Sequence, residues 1–284
     1  MSSRVGSASG RLWRASPLTY VALIFAALLS LYPFYYMFII ATRALDAINS
    51  TPPPFTPGSS FFANFGRVLT KPDVNFWLGL RNSVVVCVII TASVVLTSTL
   101  AGFAFAKLRF RGRNGLLLTI LLTMMIPTQL GLIPLWGMML DFGWYDNLAA
   151  VIVPFLTSAF GVFMMRQYTA SAVSDELIEA ARVDGCSTVR IYWNVVLPAV
   201  LPAAAVLGLL TFMEQWNNYI WPRAILTPEH PTLQVSLGFV SYGYYTDYSM
   251  VFAATAVGTI PLILVFIAFG RQIIGGIMEG AVKA

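Results

Sequence analysis

Polar chemistry in this sequence is concentrated in two short stretches. The first, Ser174-Asp175-Glu176-Leu177-Ile178-Glu179-Ala180-Ala181-Arg182-Val183-Asp184-Gly185, has the makings of a short helix. Ser174 stands where an N-cap belongs, and Asp175 and Glu176 put negative charge in the first turn, where the helix dipole favours it. Gly185 suits a left-handed stop. Leu177, Ala180, Ala181 and Asp184 recur at helical spacing and give a face of mostly small residues. Such a face lets another protein's surface come close, with Glu179 and Asp184 at its margin to pair with basic groups. The same pattern also fits a connector helix lying in the membrane interface. The second stretch, Glu214, Gln215, Trp216, Asn217, Asn218 and Tyr219, gathers a carboxylate, amides, a hydroxyl and flat aromatic faces. These groups suit a polyhydroxylated solute, which needs a few placed polar partners in an otherwise apolar pocket. Asn217 and Asn218 are expected to face a solute pathway, and Trp221 to sit in the aromatic belt at the membrane interface. Glu214 is singled out because an ionisable residue within an apolar span is a functional site by default.

Several kinds of chemistry are excluded. The apolar spans hold one Glu and no His, so they contain no paired aspartates, no His-x-x-Glu-His and no Ser-His pair. His230, between Pro228 and Pro231, is read as a loop residue without a partner, a poor metal ligand and a poor catalyst. Cys87 and Cys186 offer neither a disulfide framework nor metal-ligand spacing. No Gly-x4-Gly-Lys-Ser/Thr loop is present to hold phosphates, so any ATP hydrolysis must come from another polypeptide. The chain is expected to need no cofactor or metal of its own and not to be an enzyme.

The elements that position these stretches are membrane spans. The chain has 284 residues, 58% hydrophobic and 10% charged, whereas a soluble domain carries about 25% charged residues. About 20 apolar residues cross the roughly 30 Å hydrocarbon layer as a helix. Six runs qualify, near 18–40, 82–106, 115–139, 148–166, 196–221 and 249–270. They are continuously apolar rather than alternating, so they are helices, and the first starts too late and runs too long for a cleaved signal peptide. With the N-terminus in the cytoplasm, twelve Lys and Arg fall inside, with the run Lys107–Arg113 the densest, and five outside, together the 17 of the chain. That bias puts both termini in the cytoplasm, explains the net charge of +5 by topology rather than nucleic acid, and leaves lipid as the surrounding partner. The fold class is thus an all-α integral membrane protein. Residues 1–17 and 271–284 are read as cytoplasmic tails of a domain spanning 18–270.

Glu179-Ala180-Ala181, three residues, Gly185, nine residues, Val195, one more and Leu197-Pro198 resembles the EAA motif of ABC importer permeases, with Val195 where Ile is usual. The tail Gly275–Ala284, the stretch Gln215–Pro222 and the run Lys107–Arg113 resemble the maltose-type carbohydrate branch of that family, its smaller permease subunit in particular. Met278-Glu279 and Ala284 depart from the usual ending. The resemblance implies a six-helix type I importer fold with a cytoplasmic coupling helix, so that Glu179, Ala180, Ala181, Asp184, Gly185, Leu197 and Pro198 couple to an ATPase. It further implies a second permease as heterodimer partner, an ATP-binding subunit dimer carrying ATP and Mg, an extracytoplasmic sugar-binding protein and a di- or oligosaccharide substrate. The tail from Gly276 would touch the ATP-binding subunit. The loop 223–248 would enter the binding protein through Phe239, Tyr242, Gly243, Tyr244 and Tyr245. A transporter for another solute, a membrane-embedded enzyme and a sensory protein are the competing classes. The tail and the Trp-Asn-Asn stretch argue against the first, the absent catalytic constellation against the second, and the absence of a signalling domain against the third.

Overall fold

The computed structural model describes the backbone of residues 16–48, 50–241 and 246–281, with side chains through Gly270. Every regular element among the described residues is helical. In chain order these are α1 (Pro17–Thr42), α2 (Leu45–Ile48), α3 (Phe61–Thr70), α4 (Phe76–Lys107), α5 (Arg113–Thr123), α6 (Leu132–Asp141) and α7 (Leu148–Ile152), then α8 (Ala159–Ala172), α9 (Asp175–Val183), α10 (Thr188–Ile191), α11 (Leu197–Trp216), α12 (Ile220–Ile225), α13 (Leu233–Val240) and α14 (Tyr248–Ala281). Five continuous runs among the described residues are long and apolar enough to cross a membrane, and a sixth is a bent pair. The contacts divide the chain into two units, residues 1–67 with 247–256 and residues 68–246 with 257–284.

In the first unit, α1 is apolar on all sides and exposes Leu18, Phe25, Leu28, Leu29 and Phe34. A helix apolar all round needs lipid or protein on every face. Its C-terminal carbonyls have no intrahelical partner, and buried Asn64 answers part of that need. Asn64 Nδ2 donates to the carbonyls of Ala41 and Arg43 at 2.9 and 2.8 Å. One turn further, Arg67 pairs with Asp247 at 2.6 Å and donates to Ser249 Oγ, fixing the entry to α14.

The second unit is built on α4, which packs against α8 and α11. Small residues set the closeness: a Cβ on Gly102 would come within 2.7 Å of the Met165 backbone, and one on Gly161 within 2.3 Å of Ser98 Oγ. Small residues at such contacts let membrane helices approach closely. Buried Tyr192 bonds Thr99 at 2.8 Å across this core.

Three expectations are corrected here. The third span is not continuous: α5 and the segment Thr128–Asp141 are bent by 87°. Pro127 lacks an N–H and drives the preceding residue out of helical conformation, and its own ψ of 125° carries the chain away. Pro134 lies in the first turn of α6, where no donor is missed. The fifth span starts earlier than 196, at Thr188, and ends at Trp216, running 29 residues with one widened turn at Tyr192–Val196. There Leu197 donates to Tyr192, five residues back, immediately ahead of Pro198, which cannot donate. The stretch 222–248, expected as a loop, contains the end of α12 and all of α13.

Candidate functional site

Two sites lie at opposite ends of the fifth span. At its N-terminal end, α9 runs Asp175–Val183 and closes as a Schellman turn. Gly185 N donates to the Arg182 carbonyl at 3.0 Å and Cys186 N to the Ala181 carbonyl at 2.9 Å. Gly185 has φ +77°, and the space around it is open. Its requirement is therefore the left-handed backbone and not room. Ser174 precedes the helix with extended angles but does not cap a backbone amide. The Glu176 carboxyl is held below its usual range by its own backbone N–H and by the Ser174 hydroxyl. Asp175 is likewise held down by the hydrogen bond and charge of Lys107, 2.7 Å away. The Lys107 side chain is 8% exposed while Asp175 is 77% exposed.

The small-residue face expected on α9 is split. Ala181 turns inward with Ile178, while Leu177, Glu179, Ala180, Asp184 and Gly185 stay exposed. Val183 and Val189 are also exposed, at 87% and 67%. The segment thus offers acidic groups beside apolar ones. Among the described residues, neither outward carboxylate, of Glu179 or of Asp184, is paired within this chain. Leu197 and Pro198 form the first turn of α11, above the widened turn.

At the other end of the span is a cavity of about 820 Å³. One wall is the break of the third span, Thr128 to Met138. Another is Pro154 and Phe155, in the short 3₁₀ turn between α7 and α8. The third is Glu214, Gln215, Asn217, Asn218, Tyr219, Ile220 and Trp221. Asn217 uses Nδ2 to bond the Met213 carbonyl at 2.8 Å, closing α11 and leaving Oδ1 outward. Asn218 Nδ2 reaches Gln215 Oε1 at 3.5 Å, a weak contact. Tyr219 lies against α13, where a Cβ on Gly238 would meet its ring at 3.0 Å.

Not every singled-out residue takes part. Trp216 does not line the cavity; it is buried and stacks on Phe212 with centroids 5.6 Å apart. Trp221, expected in an interfacial belt, is 2% exposed and donates Nε1 to the Ala150 carbonyl at 3.0 Å. That bond anchors α12 on α7 and puts the indole in the core. His230 has a partner after all: Nδ1 lies 2.8 Å from Asp146 Oδ2. Phe239 sits beneath the Arg223 guanidinium, 5.0 Å from its ring centre. Tyr242, Gly243, Tyr244 and Tyr245 lie outside the described residues, as do the side chains of the tail from Arg271. Thr128 and Gln129 were missed. The signal was Ile126-Pro127 followed by Gly131 and Pro134, a break that opens backbone and side chains to a neighbour. Among the described residues no group of His, Cys, Asp or Glu is placed to hold a metal ion.

Comparison with known proteins gives these two sites a context. Residues 95–274 match the family model for a binding-protein-dependent transport system inner membrane component. The chain is 34% identical over 267 residues to the lactose transport system permease protein LacG of Rhizobium radiobacter, covering 93% of this chain and 95% of that one. It is 29% identical over 266 residues to the arabinooligosaccharides transport system permease protein AraQ of Halalkalibacterium halodurans, with the same two coverages. The sn-glycerol-3-phosphate transport system permease protein UgpE of Salmonella typhimurium is 30% identical over 268 residues, covering 92% and 95%. A chain of the crystal structure of a bacterial ABC transporter involved in the import of the acidic polysaccharide alginate matches with TM-score 0.76 at 28% identity, covering 95% of this chain and 99% of that one. The family match takes in α9 and all three walls of the cavity. This chain therefore belongs to the binding-protein-dependent transport system inner membrane components, the membrane permeases of ABC importers.

Proposed function

We propose that this chain is one of two permease subunits of an ATP-driven sugar importer, taking a di- or oligosaccharide. The observation that carries this reading is the continuity of one 29-residue helix, Thr188–Trp216, from the α9 end to the polar cavity. A rigid helix with a docking segment at one end and solute ligands at the other is what mechanical coupling across a bilayer requires. Two of the relatives are named for sugars, lactose and arabinooligosaccharides. The glycerol-phosphate relative and the alginate importer leave the charge of the solute open.

In this reading both termini are cytoplasmic, with residues 1–17 and 271–284 flanking the membrane domain. α9 docks on an ATP-binding subunit through Glu179, Ala180, Asp184 and the left-handed turn at Gly185, while Ala181 seats the helix on its own subunit. Closure of the ATPase dimer displaces α9, and Leu197-Pro198 passes the motion into α11. Such a displacement drives alternating access only if the ATPase binds the two states unequally. ATP and Mg belong to that partner, and this chain carries no cofactor. Gln215, Asn217, Asn218 and Tyr219 offer amides, a hydroxyl and a ring to the sugar, with Glu214 beside them. Trp216 serves by packing. The segment holding Phe239, Tyr242, Gly243, Tyr244 and Tyr245 meets the external sugar-binding protein, and the end of α14 from Gly276 reaches the ATP-binding subunit.

The test is reconstitution with its partner permease, ATP-binding and binding-protein subunits. Binding protein loaded from a panel of di- and oligosaccharides is expected to stimulate ATP hydrolysis and sugar uptake. ATP hydrolysis indifferent to every loaded binding protein would remove the proposal.

A further inference from the structure

We infer that Glu214 gives the cavity a negative field that admits neutral saccharides and turns anionic ones away, making it a specificity-determining residue. This inference rests on the reading of the cavity as part of the solute pathway. Three observations lead to it. Glu214 is exposed at the cavity wall, and among the described residues no protein group hydrogen-bonds its carboxylate. No Lys, Arg or His among the described residues lines the cavity. The remaining polar groups there are uncharged amides and hydroxyls, so nothing in the described wall offsets the carboxylate.

The nearby chemistry sharpens the point. Gln215 is 9% exposed, and among the described residues its Oε1 is engaged only by the 3.5 Å approach of Asn218 Nδ2. Its own NH2 and the outward Oδ1 of Asn217 leave one donor group and one acceptor for a solute. A carboxylate accepts hydrogen bonds strongly and cannot donate them. Adjacent sugar hydroxyls supply the donors it needs, whereas a uronate or phosphate brings a second negative charge. Two like charges in a partly enclosed, largely apolar cavity repel more than they would in water. A cavity built to pass acidic sugars would place an arginine or lysine on this wall.

Local charge is measurable without knowing the sugar. In the assembled complex in lipid nanodiscs, with both faces open to solvent, Cys87 and Cys186 are made Ala and the exposed wall residue Ile220 is changed to Cys. The modification rates of Ile220→Cys by trimethylammonioethyl and sulfonatoethyl methanethiosulfonate are compared. The cationic-to-anionic rate ratio is expected to fall roughly tenfold on adding Glu214→Gln, and further on adding Glu214→Lys. An unchanged ratio in both variants overturns the charge filter while leaving the pathway intact. An Ile220→Cys thiol that neither reagent reaches overturns the pathway reading itself, and the filter with it. An unaltered elution volume and melting temperature of the Glu214→Gln complex show that a changed ratio does not come from misfolding.

Discussion

The α9 segment and the cavity share one helix but are made in opposite ways. The α9 segment is local: its start, acidic first turn and left-handed stop all lie within twelve consecutive residues, Ser174 to Gly185. The cavity is assembled from three places in the chain, around residues 128–138, 154–155 and 214–221. Local construction leaves its groups facing outward. Assembled construction turns its groups toward a shared interior, whose shape depends on residues that do not line it. The two therefore fail differently: single backbone changes disable α9, and packing changes disable the cavity.

The largest effect follows from that second failure. Trp221→Ala removes a buried indole and its bond to the Ala150 carbonyl, which costs about 3–5 kcal/mol. Thermal unfolding of the purified complex in detergent is expected to show the loss, together with reduced assembly. Trp221→Phe keeps most of the packing and isolates the orphaned carbonyl, worth about 1–3 kcal/mol. A tolerated Trp221→Ala would return this residue to the role of a dispensable interfacial anchor.

Next in size is Gly185→Val, because a β-branched residue at φ +77° is strained by about 1–3 kcal/mol whatever the space. Binding-protein-stimulated ATPase is expected to be lost while basal hydrolysis by the ATP-binding subunits persists. Gly185→Asn is the control, since asparagine visits the left-handed region readily. Equal damage from both substitutions would mean that the open space matters, and the local account of α9 would be wrong.

A smaller effect tests whether α9 is held from its own subunit. Lys107, nearly buried at the end of α4, reaches Asp175 at the start of α9. Lys107→Met keeps the apolar stem and removes the charge. Stimulated ATPase is expected to fall roughly two- to five-fold, in keeping with a pair that is open to water on one side. A charge exchange, Lys107→Asp with Asp175→Lys, is expected to restore part of it. No change in the single variant would show that α9 is positioned by Ile178 and Ala181 alone.

The same contrast explains what was legible beforehand. Helical spans follow from apolar run length, and the stop at Gly185 follows from its neighbours, so both can be read along the chain. Pro127 and Pro134 were visible, but which one breaks the span depends on register: Pro127 falls where a donor is needed and Pro134 in a first turn where none is. Trp221 was misread because its aromatic type suits an interface, while its actual partner, Ala150, is 71 residues earlier. The walls of the cavity are brought together by the packing of α12 on α6 and α7, which no window of sequence displays. For Ser174, the position was readable but not its partner, since the hydroxyl serves Glu176 rather than a backbone amide.

The smallest expected effect concerns the clamp that joins the turn before α7 to the turn before α13. Asp146, at φ +55°, accepts from Thr227 N at 2.8 Å and pairs with His230 Nδ1 at 2.8 Å. Partial burial pushes the Asp146 carboxyl up, but the hydrogen bonds from His230 and Thr227, with the charge of His230, outweigh it and hold the carboxyl below its usual range. A carboxyl depressed in the folded state contributes stability above its unfolded pKa of about 3.9 and loses it as pH falls through the folded value. The wild-type complex and Asp146→Asn, which keeps the left-handed backbone accessible, are therefore expected to differ in melting temperature above about pH 4. The gap is expected to narrow below about pH 4. His230→Ala removes one of the two clamping bonds and is expected to cost about 0.5–1.5 kcal/mol, with the Thr227 bond retained. Because the clamp abuts α12, whose Trp221 forms part of the cavity wall, its loss is expected to loosen the cavity and leave coupling through α9 unchanged. A pH-independent gap would show that the clamp acts through the shape of the turn and not through the carboxylate charge.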